Sequence, residues 1–459
     1  MLLRIILYAS LPVVLGCLPA CKKHALLDAR PNSQIIVPTT LEDMQKLLDK
    51  DVVMSETPQL GELSADNYYL TDVFWGSLGT QEQNAYIWAG DIFGTQENIA
   101  DWNRPYEQVL YANVVLENLP KITITGTNEQ QWQTIKGSAL FTRAYAFYNL
   151  AQVFAPVYDA GTAAGDLGVV LRLTSDAGNA SVRATVADTY SRILNDLQEA
   201  KKLLPPGIDS AYRNRPSRPA CLAMLARVYL GMRNYAQAGA YADSCLKLYS
   251  KLMDYNNINT ASSYPFTRLN DETMYQSRLS SVTNVLIGRV VPGCIVDSLL
   301  YRSYDVNDLR RQAFYTNTPA MPNIKGSYNG TLFAFSGLAT DEAYLVRAEC
   351  HAWAGNTAAA MDDLNTLLKK RYKKDSFITI TAVSAGEARQ KILEERRKEL
   401  PFRGLRWTDI RRLNKEGTGI TLTRRAGGKN YQLPPGDARY VLPIPPDVIA
   451  LSGIQQNPR

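Results

Sequence analysis

Apolar side chains recur in the middle of the chain at the three- and four-residue spacing that covers one face of an α-helix. The clearest stripe comprises Val186, Tyr190, Ile193, Leu197, Ala200 and Leu204. Thr185 and Asp188 form a capping signal before it, and Pro205-Pro206 interrupts the pattern. The spacing therefore predicts a helix over 186–204. A second stripe, which predicts the preceding helix, comprises Leu140, Ala144, Phe147 and Ala151.

Two further regions have the pattern of two helices joined by a short turn. In the first, the turn at Gly231–Asn234 separates one stripe from another: Leu222, Leu225, Ala226 and Tyr229, then Ala238, Ala242, Cys245 and Tyr249. In the second, Gly355-Asn356 separates Tyr344, Ala348 and Ala352 from Ala360, Leu364 and Leu367. Small residues allow paired helices to approach closely, and this arrangement resembles the tetratricopeptide repeat. We predict a mainly α fold in which such helix pairs form a scaffold.

Two long segments show little helical period. They cover about residues 55–100 and 251–335 and are rich in Tyr, Asn, Ser and Gly, and residues 161–179 form a smaller example. Segments of this length inside a compact protein are usually functional rather than simple connectors. We therefore expect large irregular loop insertions on the helical scaffold.

The N-terminus has the organisation of a secretory signal. Met1–Ala20 contains Arg4, an apolar run and small residues before a cleavage point. The following cysteine, in Leu18-Pro19-Ala20-Cys21, resembles the acylated cysteine of a bacterial lipobox. Cys17 is a second candidate, but Cys21 leaves a longer apolar segment before it. An ordinary secreted protein with an incidental cysteine is the alternative.

These features predict three parts of the chain: a lipoprotein signal peptide over 1–20, a tether over 21–40 and a single domain over 41–459. No later segment is long and apolar enough to span a bilayer, so lipid attachment at Cys21 is the predicted contact with the membrane. The net charge of +6 is spread along the chain, with local clusters at 369–374 and 396–412. That diffuse distribution argues against a nucleic-acid partner.

The cysteines and histidines limit the chemistry. Cys221, Cys245, Cys294 and Cys350 are far apart and fit no metal-ligand spacing, and three of them fall on apolar helical patterns. His24 and His351 are the only histidines, which leaves little material for a histidine metal site or a Ser-His-Asp triad. We predict no cofactor and no metal ion. A disulfide cannot be assigned from sequence.

Several short blocks occur along the chain in a fixed order. They are Cys21-Lys22-Lys23, Trp102-Asn103-Arg104-Pro105-Tyr106, the segment from Arg143 to Leu150, the segment from Glu394 to Leu400, the segment from Gly404 to Arg412, and Leu442-Pro443-Ile444-Pro445 followed by Gln456-Asn457-Pro458. Together they resemble the SusD/RagB family of nutrient-binding outer-membrane lipoproteins of Bacteroidetes, over nearly all of the mature chain.

The chain departs from that family pattern at both ends. It stops at Asn457-Pro458-Arg459, whereas family members often end in Asn-Pro-Gly-Tyr. The residues after Cys21 are basic, whereas acidic residues there often accompany surface display. An outward-facing location is therefore implied by the family rather than by the tether.

The resemblance implies a SusD-like α-α superhelix with four tetratricopeptide-like units. It also implies a surface-exposed, lipid-anchored protein of the outer membrane that acts as the lid of a TonB-dependent, SusC-like channel. Such a protein binds a glycan or another nutrient and delivers it to the channel without catalysing a reaction.

A sugar ring has an apolar face and an edge of hydroxyl groups. Binding it without chemistry requires flat aromatic rings together with polar side chains. Both insertions supply this mixture. The predicted ligand contacts are Asp66, Tyr69, Trp75, Tyr86, Trp88, Tyr301, Arg302 and Tyr328. For the two tryptophans, packing against the scaffold is the alternative.

Other large and charged residues are predicted to be structural. Tyr145, Phe147, Tyr148, Tyr229 and Trp353 fall on helical stripes and are expected in the core. A partly buried ion-pair network is expected from Glu395, Glu399, Arg403, Arg406 and Asp409.

Two other functions remain open. A glycoside hydrolase needs two carboxylates at a defined separation, and no motif singles out such a pair among the 44 acidic residues. A generic tetratricopeptide scaffold would bind a peptide or protein in its concave face and would not need the aromatic insertions.

Overall fold

Long helices form where the apolar stripes predict them. The computed structural model describes residues 37–176, 178–280, 293–318 and 320–459. The helix Val186–Leu203 begins after Thr185, whose hydroxyl accepts a hydrogen bond of 3.0 Å from the Asp188 backbone N–H. Both predicted helix pairs are present: the first turn follows Gly231, and the second contains Gly355. The prediction of a mainly α fold is confirmed.

The α-helices of the described part are α1 (Leu41–Leu48), α2 (Asp51–Met54), α3 (Leu60–Ser64), α4 (Asp72–Ser77), α5 (Thr80–Tyr86), α6 (Ala100–Asn118), α7 (Glu129–Phe154), α8 (Val186–Leu203), α9 (Arg218–Gly231), α10 (Tyr235–Leu248), α11 (Ser298–Arg302), α12 (Leu309–Phe314), α13 (Thr340–Trp353), α14 (Thr357–Leu368), α15 (Ala385–Glu399), α16 (Arg406–Lys415) and α17 (Pro446–Ser452). The longer helices stack in chain order from α6 to α10, and α10 then packs on α13, which contacts α14 and α15.

A glycine sets the distance between two of the stacked helices. Gly239 on α10 faces Cys350 on α13, and a Cβ at position 239 would lie 2.9 Å from the Cys350 Cβ. The missing side chain therefore allows the close approach that the small-residue pattern indicated.

Short strands form five two-stranded ladders in the described residues. Four are antiparallel: β2 (Tyr68–Leu70) with β7 (Cys294–Val296), β3 (Leu167–Val170) with β4 (Arg183–Thr185), β5 (Thr273–Tyr275) with β8 (Leu338–Ala339), and β9 (Leu422–Ala426) with β10 (Lys429–Leu433). The fifth is parallel and joins β1 (Glu56–Thr57) to β6 (Arg278–Leu279). Two ladders, β1–β6 and β2–β7, connect the first predicted insertion to the second.

The two insertions contain more regular structure than their composition indicates. Helices α3, α4 and α5 lie within residues 55–100, and α11 and α12 lie within 251–335. These helices have five to seven residues, so they are too short to produce a visible apolar period. The compact unit of the described chain extends over Pro38–Arg459.

Most residues predicted for the core are buried. Tyr145, Phe147 and Tyr148 are at most 3% exposed, and the four described cysteines are buried free thiols. Trp353 was predicted wrongly, because its side chain is 37% exposed. Its ring stacks on Tyr235 at 4.6 Å between centroids and lies under the Arg389 guanidinium at 4.1 Å.

The predicted ion-pair network is present, and its partners come from the whole chain. Glu399 lies between two buried arginines, 3.0 Å from Arg310 and 2.7 Å from Arg371. The other predicted members pair as follows: Glu395 with Arg310, Arg403 with Asp341, Arg406 with Asp66, and Asp409 with Arg396 and Arg412.

The predictions about the N-terminus lie outside the described residues. They are the signal peptide at 1–20, acylation of Cys21 or Cys17, and most of the tether at 21–40. In the part of the chain that is described, no helix combines the length and the apolar composition needed to cross a bilayer.

Candidate functional site

Two surface clefts include residues that follow the strands of the β2–β7 ladder in sequence. The first, here called the Tyr69 cleft, has a volume of about 450 Å³ and is lined by Tyr69, Leu70, Asp72, Tyr86, Thr423, Arg424 and Arg425. The second, here called the Tyr301 cleft, has a volume of about 620 Å³, and its lining includes Tyr301, Asp308, Arg311, Gln312, Asn317 and Lys325. Each cleft contains tyrosine and charged side chains from one of the two insertions.

Strand β2 places one aromatic ring at the surface of the Tyr69 cleft. Alternate side chains of a strand point to opposite faces, so Tyr68 and Leu70 turn inward while Tyr69 is 40% exposed. The Tyr68 hydroxyl donates a hydrogen bond of 2.6 Å to the Leu63 carbonyl, which fixes the buried side of the strand. The exposed ring is therefore held on a well-anchored strand.

The floor of the Tyr69 cleft is the guanidinium of Arg424. It lies 4.1 Å from the ring centroid of Tyr86 and 4.8 Å from that of Tyr68. It also donates hydrogen bonds to the backbone carbonyls of Tyr68 and Ala65. These contacts attach the β9–β10 hairpin to the first insertion. Because side chains alternate along β9, Thr423 and Arg425 on either side of Arg424 are exposed.

Helix α4 forms the other wall of the Tyr69 cleft. Asp72, in its first turn, accepts a hydrogen bond of 3.1 Å from the Gly427 backbone N–H at the hairpin turn. Gly427 has a φ of +55°, and a Cβ there would lie 3.2 Å from the Trp75 ring. Trp75 is half-buried and donates its indole N–H to the Gln83 carbonyl at 3.1 Å. The tryptophan thus packs against the turn that follows strand β9, which carries Arg425.

The exposed groups of the Tyr69 cleft suit a polyhydroxylated ligand. They comprise a phenol ring, a carboxylate, a hydroxyl and a guanidinium, from Tyr69, Asp72, Thr423 and Arg425. The ring can cover an apolar sugar face, and the three polar groups supply both donors and acceptors for hydroxyl groups.

Two of the predicted aromatic residues are buried below the Tyr69 cleft, although Tyr86 borders its lining. The Tyr86 side chain is 1% exposed, and its hydroxyl accepts a hydrogen bond of 2.8 Å from the Leu70 N–H. Trp88 is 2% exposed and donates its indole N–H to the Ser64 carbonyl at 2.9 Å. Both rings lie near the Arg424 guanidinium, so they support the floor of the cleft.

Asp66 is held in an ion pair away from the cleft lining. Both of its carboxylate oxygens accept hydrogen bonds from Arg406, at 2.6 Å and 2.8 Å. Burial opposes ionisation of Asp66, but the Arg406 ion pair outweighs it and holds the pKa of the carboxyl well below its ordinary range. The carboxylate therefore connects the first insertion to α16.

The predicted residues of the second insertion are dispersed. Tyr301 is also buried, at 6% exposed, but it lines the Tyr301 cleft, whereas Arg302 is exposed and lies outside that lining. Tyr328 is 6% exposed, its hydroxyl donates to the Glu272 carboxylate, and the Arg403 guanidinium lies 4.6 Å from its ring centroid. Tyr328 is thus part of the interior.

Several cleft residues were not predicted from the sequence. Thr423 and Arg425 belong to a hairpin whose signal is present in Gly427-Gly428, a dipeptide that favours tight hairpin turns. Arg311 and Lys325 carry no local signal that separates them from other basic residues. Within the described ranges, no group of three or more His, Cys, Asp and Glu side chains is arranged to hold a metal ion.

Comparison with known proteins identifies the family to which this chain belongs. A family model described as starch-binding and associating with the outer membrane matches residues 26–230, and a SusD family model matches residues 340–459. The chain belongs to the SusD/RagB family.

Individual relatives of this SusD/RagB protein are distant in sequence. The SusD-like protein P2 of Formosa agariphila is 25% identical over 450 residues, which cover 83% of this chain and 84% of the relative. A solved SusD superfamily structure from Bacteroides thetaiotaomicron has a TM-score of 0.73 at 20% identity, and covers 92% of this chain and 100% of its own. A solved structure described as a laminarin-binding SusD-like protein has a TM-score of 0.64 at 19% identity. The match covers 92% of this chain and 100% of that protein's chain. At these identities the solved structures establish the fold.

Proposed function

We propose that this protein is a surface-exposed outer-membrane lipoprotein that binds a glycan and delivers it to a TonB-dependent, SusC-like importer. The observation that carries the proposal is the Tyr69 cleft, where an exposed aromatic ring stands beside an exposed carboxylate, a hydroxyl and a guanidinium. Membership of the SusD/RagB family supports it, as does the relative described as laminarin-binding. Anchoring through Cys21 and the channel partner follow from the lipobox and the family.

Binding without catalysis is part of the proposal. Acid–base hydrolysis of a glycosidic bond uses two carboxyl groups on opposite sides of the bond. Among the described residues, Asp72 is the one carboxylate that lines the Tyr69 cleft, and Asp308 is the one that lines the Tyr301 cleft. Asp308 is also bound to the Arg310 guanidinium at 2.6 Å. Neither cleft supplies the pair that a glycosidase requires.

Binding at the Tyr69 cleft is tested by calorimetry with laminari- and malto-oligosaccharides. We expect Tyr69→Ala and Arg425→Ala each to weaken binding about tenfold, which corresponds to about 1.4 kcal/mol. Tyr212→Ala is the matched control, because Tyr212 is 47% exposed and lies outside both clefts. Equal affinity of all three variants, or release of reducing ends from a bound oligosaccharide, would contradict the proposal.

Anchoring is tested separately by fractionation of cells that produce the full chain. We expect the protein in the outer membrane and accessible to protease on intact cells, and we expect Cys21→Ser to remove it from that fraction. Cys17→Ser is the control, since acylation at Cys21 does not require it. Membrane retention of the Cys21→Ser variant would show that another residue or contact provides the anchor.

A further inference from the structure

The Tyr301 cleft contains an arginine with no acidic partner. Among the described residues, the Arg311 guanidinium has no carboxylate within ion-pair distance and no side-chain hydrogen bond. It lies over the ring of Tyr301, 4.6 Å from the centroid. An aromatic face fixes the plane of a guanidinium but leaves its N–H donors unused. The Arg311 donors are therefore oriented and available at the cleft wall.

A second cation contributes to the same cleft. The Lys325 ammonium donates to the carbonyl oxygens of Thr260 and Gln312, at 2.6 Å and 2.7 Å. An ammonium has three donors, so one remains after these two hydrogen bonds. Because both acceptors are neutral carbonyls, the charge of Lys325 is not cancelled by its partners.

The carboxylate in the lining does not offset these cations. Asp308 is completely buried and accepts three hydrogen bonds from the Arg310 side chain, at 2.6 Å, 2.9 Å and 3.2 Å. The Lys398 ammonium lies 3.8 Å from the same carboxylate. The uncompensated charge that remains at the cleft is positive. Two further polar groups of the lining, Gln312 and Asn317, are exposed and uncharged.

We propose that the Tyr301 cleft is a binding site for an anionic sugar, one that carries a carboxylate or a sulfate ester, separate from the Tyr69 cleft. This inference rests on the proposed function, because it requires that the protein binds glycans. The Arg311 fork presents paired N–H donors to the anionic group, and Lys325 adds a point charge. Gln312 and Asn317 supply amides for hydroxyl groups. A volume of about 620 Å³ accommodates a short saccharide, since small-molecule sites span roughly 300–1,000 Å³.

The test measures binding of tetragalacturonate, of a sulfated carrageenan-type tetrasaccharide and of laminaritetraose to the full folded protein. We expect Arg311→Gln to weaken binding of at least one anionic probe by tenfold or more and to change laminaritetraose binding by less than twofold. The probe that is affected shows whether the anionic group is a carboxylate or a sulfate.

Arg302→Gln is the matched control. Arg302 is an exposed arginine next to Tyr301 but outside the cleft lining, so it reports general attraction of anions to a basic surface. We expect it to change binding by less than twofold. Equal losses in both variants, or no binding of either anionic probe at millimolar concentration, would overturn the inference.

The two proposals fail separately. Tyr69→Ala should weaken neutral laminaritetraose without changing the effect of Arg311→Gln on the anionic probe. If neutral binding is absent but Arg311-dependent binding of the anionic probe is present, the Tyr69 proposal fails and this inference stands. If the neutral probe binds but Arg311→Gln does not weaken binding of the anionic probe, this inference fails and the Tyr69 proposal stands.

Discussion

At the scale of single residues, Arg424 forms the floor of the Tyr69 cleft and holds the hairpin in place. Its guanidinium is covered by the rings of Tyr68, Tyr86 and Trp88 and donates to two backbone carbonyls. Replacing it by methionine keeps much of the apolar stem but leaves those carbonyls without donors. A buried polar group without a partner costs about 1–3 kcal/mol.

We therefore expect Arg424→Met to lower the free energy of unfolding by about 2–4 kcal/mol, measured by urea denaturation. Arg425→Met is the control. Arg425 is exposed and follows Arg424 on the same strand, so its replacement should change stability by less than about 0.5 kcal/mol. Similar losses in the two variants would show that Arg424 does not hold the hairpin.

A buried carboxyl makes the stability dependent on pH. Burial raises the pKa of Asp101 from an ordinary 3.8 to about 6, although the Gln59 and Leu60 N–H groups both donate to it at 2.7 Å. Because the folded state binds this proton more tightly than the unfolded state, the contribution to stability is complete below about pH 4 and is lost as pH rises through 6.

Asp101→Asn isolates that contribution, since the amide does not titrate. The variant carries a constant cost from its buried NH₂ group. We expect the unfolding free energy of the variant, minus that of the unmodified protein, to increase by on the order of 2 kcal/mol between pH 4 and pH 7.5. Urea unfolding at several pH values measures this difference. A difference between the two proteins that stays constant with pH would show that Asp101 titrates normally.

The location of the first insertion was easier to predict than the orientation of its side chains. The mixture of aromatic and polar residues lies in a segment that lines the Tyr69 cleft. It does not distinguish Tyr69, which is 40% exposed, from Trp88, which is 2% exposed. Exposure depends on strand β2 and on contacts with Arg424, which is more than 330 residues away in sequence. No local pattern contains that information.

At the scale of elements, the helices were predictable because their signals are local. The stripe and the cap of α8 lie within one segment, and the observed helix ends one residue before the predicted end. The ladders β1–β6 and β2–β7 were not predictable. They pair Thr57 with Leu279 and Tyr69 with Ile295, over separations of more than 200 residues, through strands of two or three residues. Such strands are too short to show an alternating pattern.

The α8 cap gives a prediction at this scale. The Thr185 hydroxyl accepts from the Asp188 N–H at 3.0 Å and donates to the Asp188 carboxylate at 2.8 Å. Thr185→Ala should cost about 1 kcal/mol of unfolding free energy, as for other N-caps. Thr185→Ser retains the hydroxyl and should cost less than half as much. If serine and alanine are equally destabilising in urea denaturation, the loss comes from the methyl group.

At the scale of the whole molecule, buried ion pairs connect the second insertion to the late helices. Arg310 on α12 contacts Glu395 and Glu399 on α15, at 2.6 Å and 3.0 Å. Arg371 joins Glu399 to Glu272, at 2.7 Å and 2.8 Å. The sequence indicated the acidic members of this network on α15. The positions of Arg310 and Arg371 became evident only from the fold, because basic residues are spread over the entire chain.

Glu399→Gln tests the role of this network. Glu399 is 1% exposed and shared by Arg310 and Arg371, so the amide leaves two buried cations with less compensating charge. Removing one partner of a buried pair costs roughly 3–5 kcal/mol. Glu394→Gln is the control, because Glu394 is an exposed carboxylate on the same helix. Urea denaturation should show a large loss for Glu399→Gln and almost none for Glu394→Gln.

The same substitution should affect the two clefts differently. Arg310 precedes Arg311 on α12, so a weakened contact with α15 loosens the wall of the Tyr301 cleft. The Tyr69 cleft is held by Arg424 and by neutral backbone acceptors, which Glu399 does not contact. Where the variant remains folded, anionic saccharides should therefore bind more weakly while neutral ones bind as before. Equal weakening of both would mean that the network supports the domain as a whole and does not position α12 in particular.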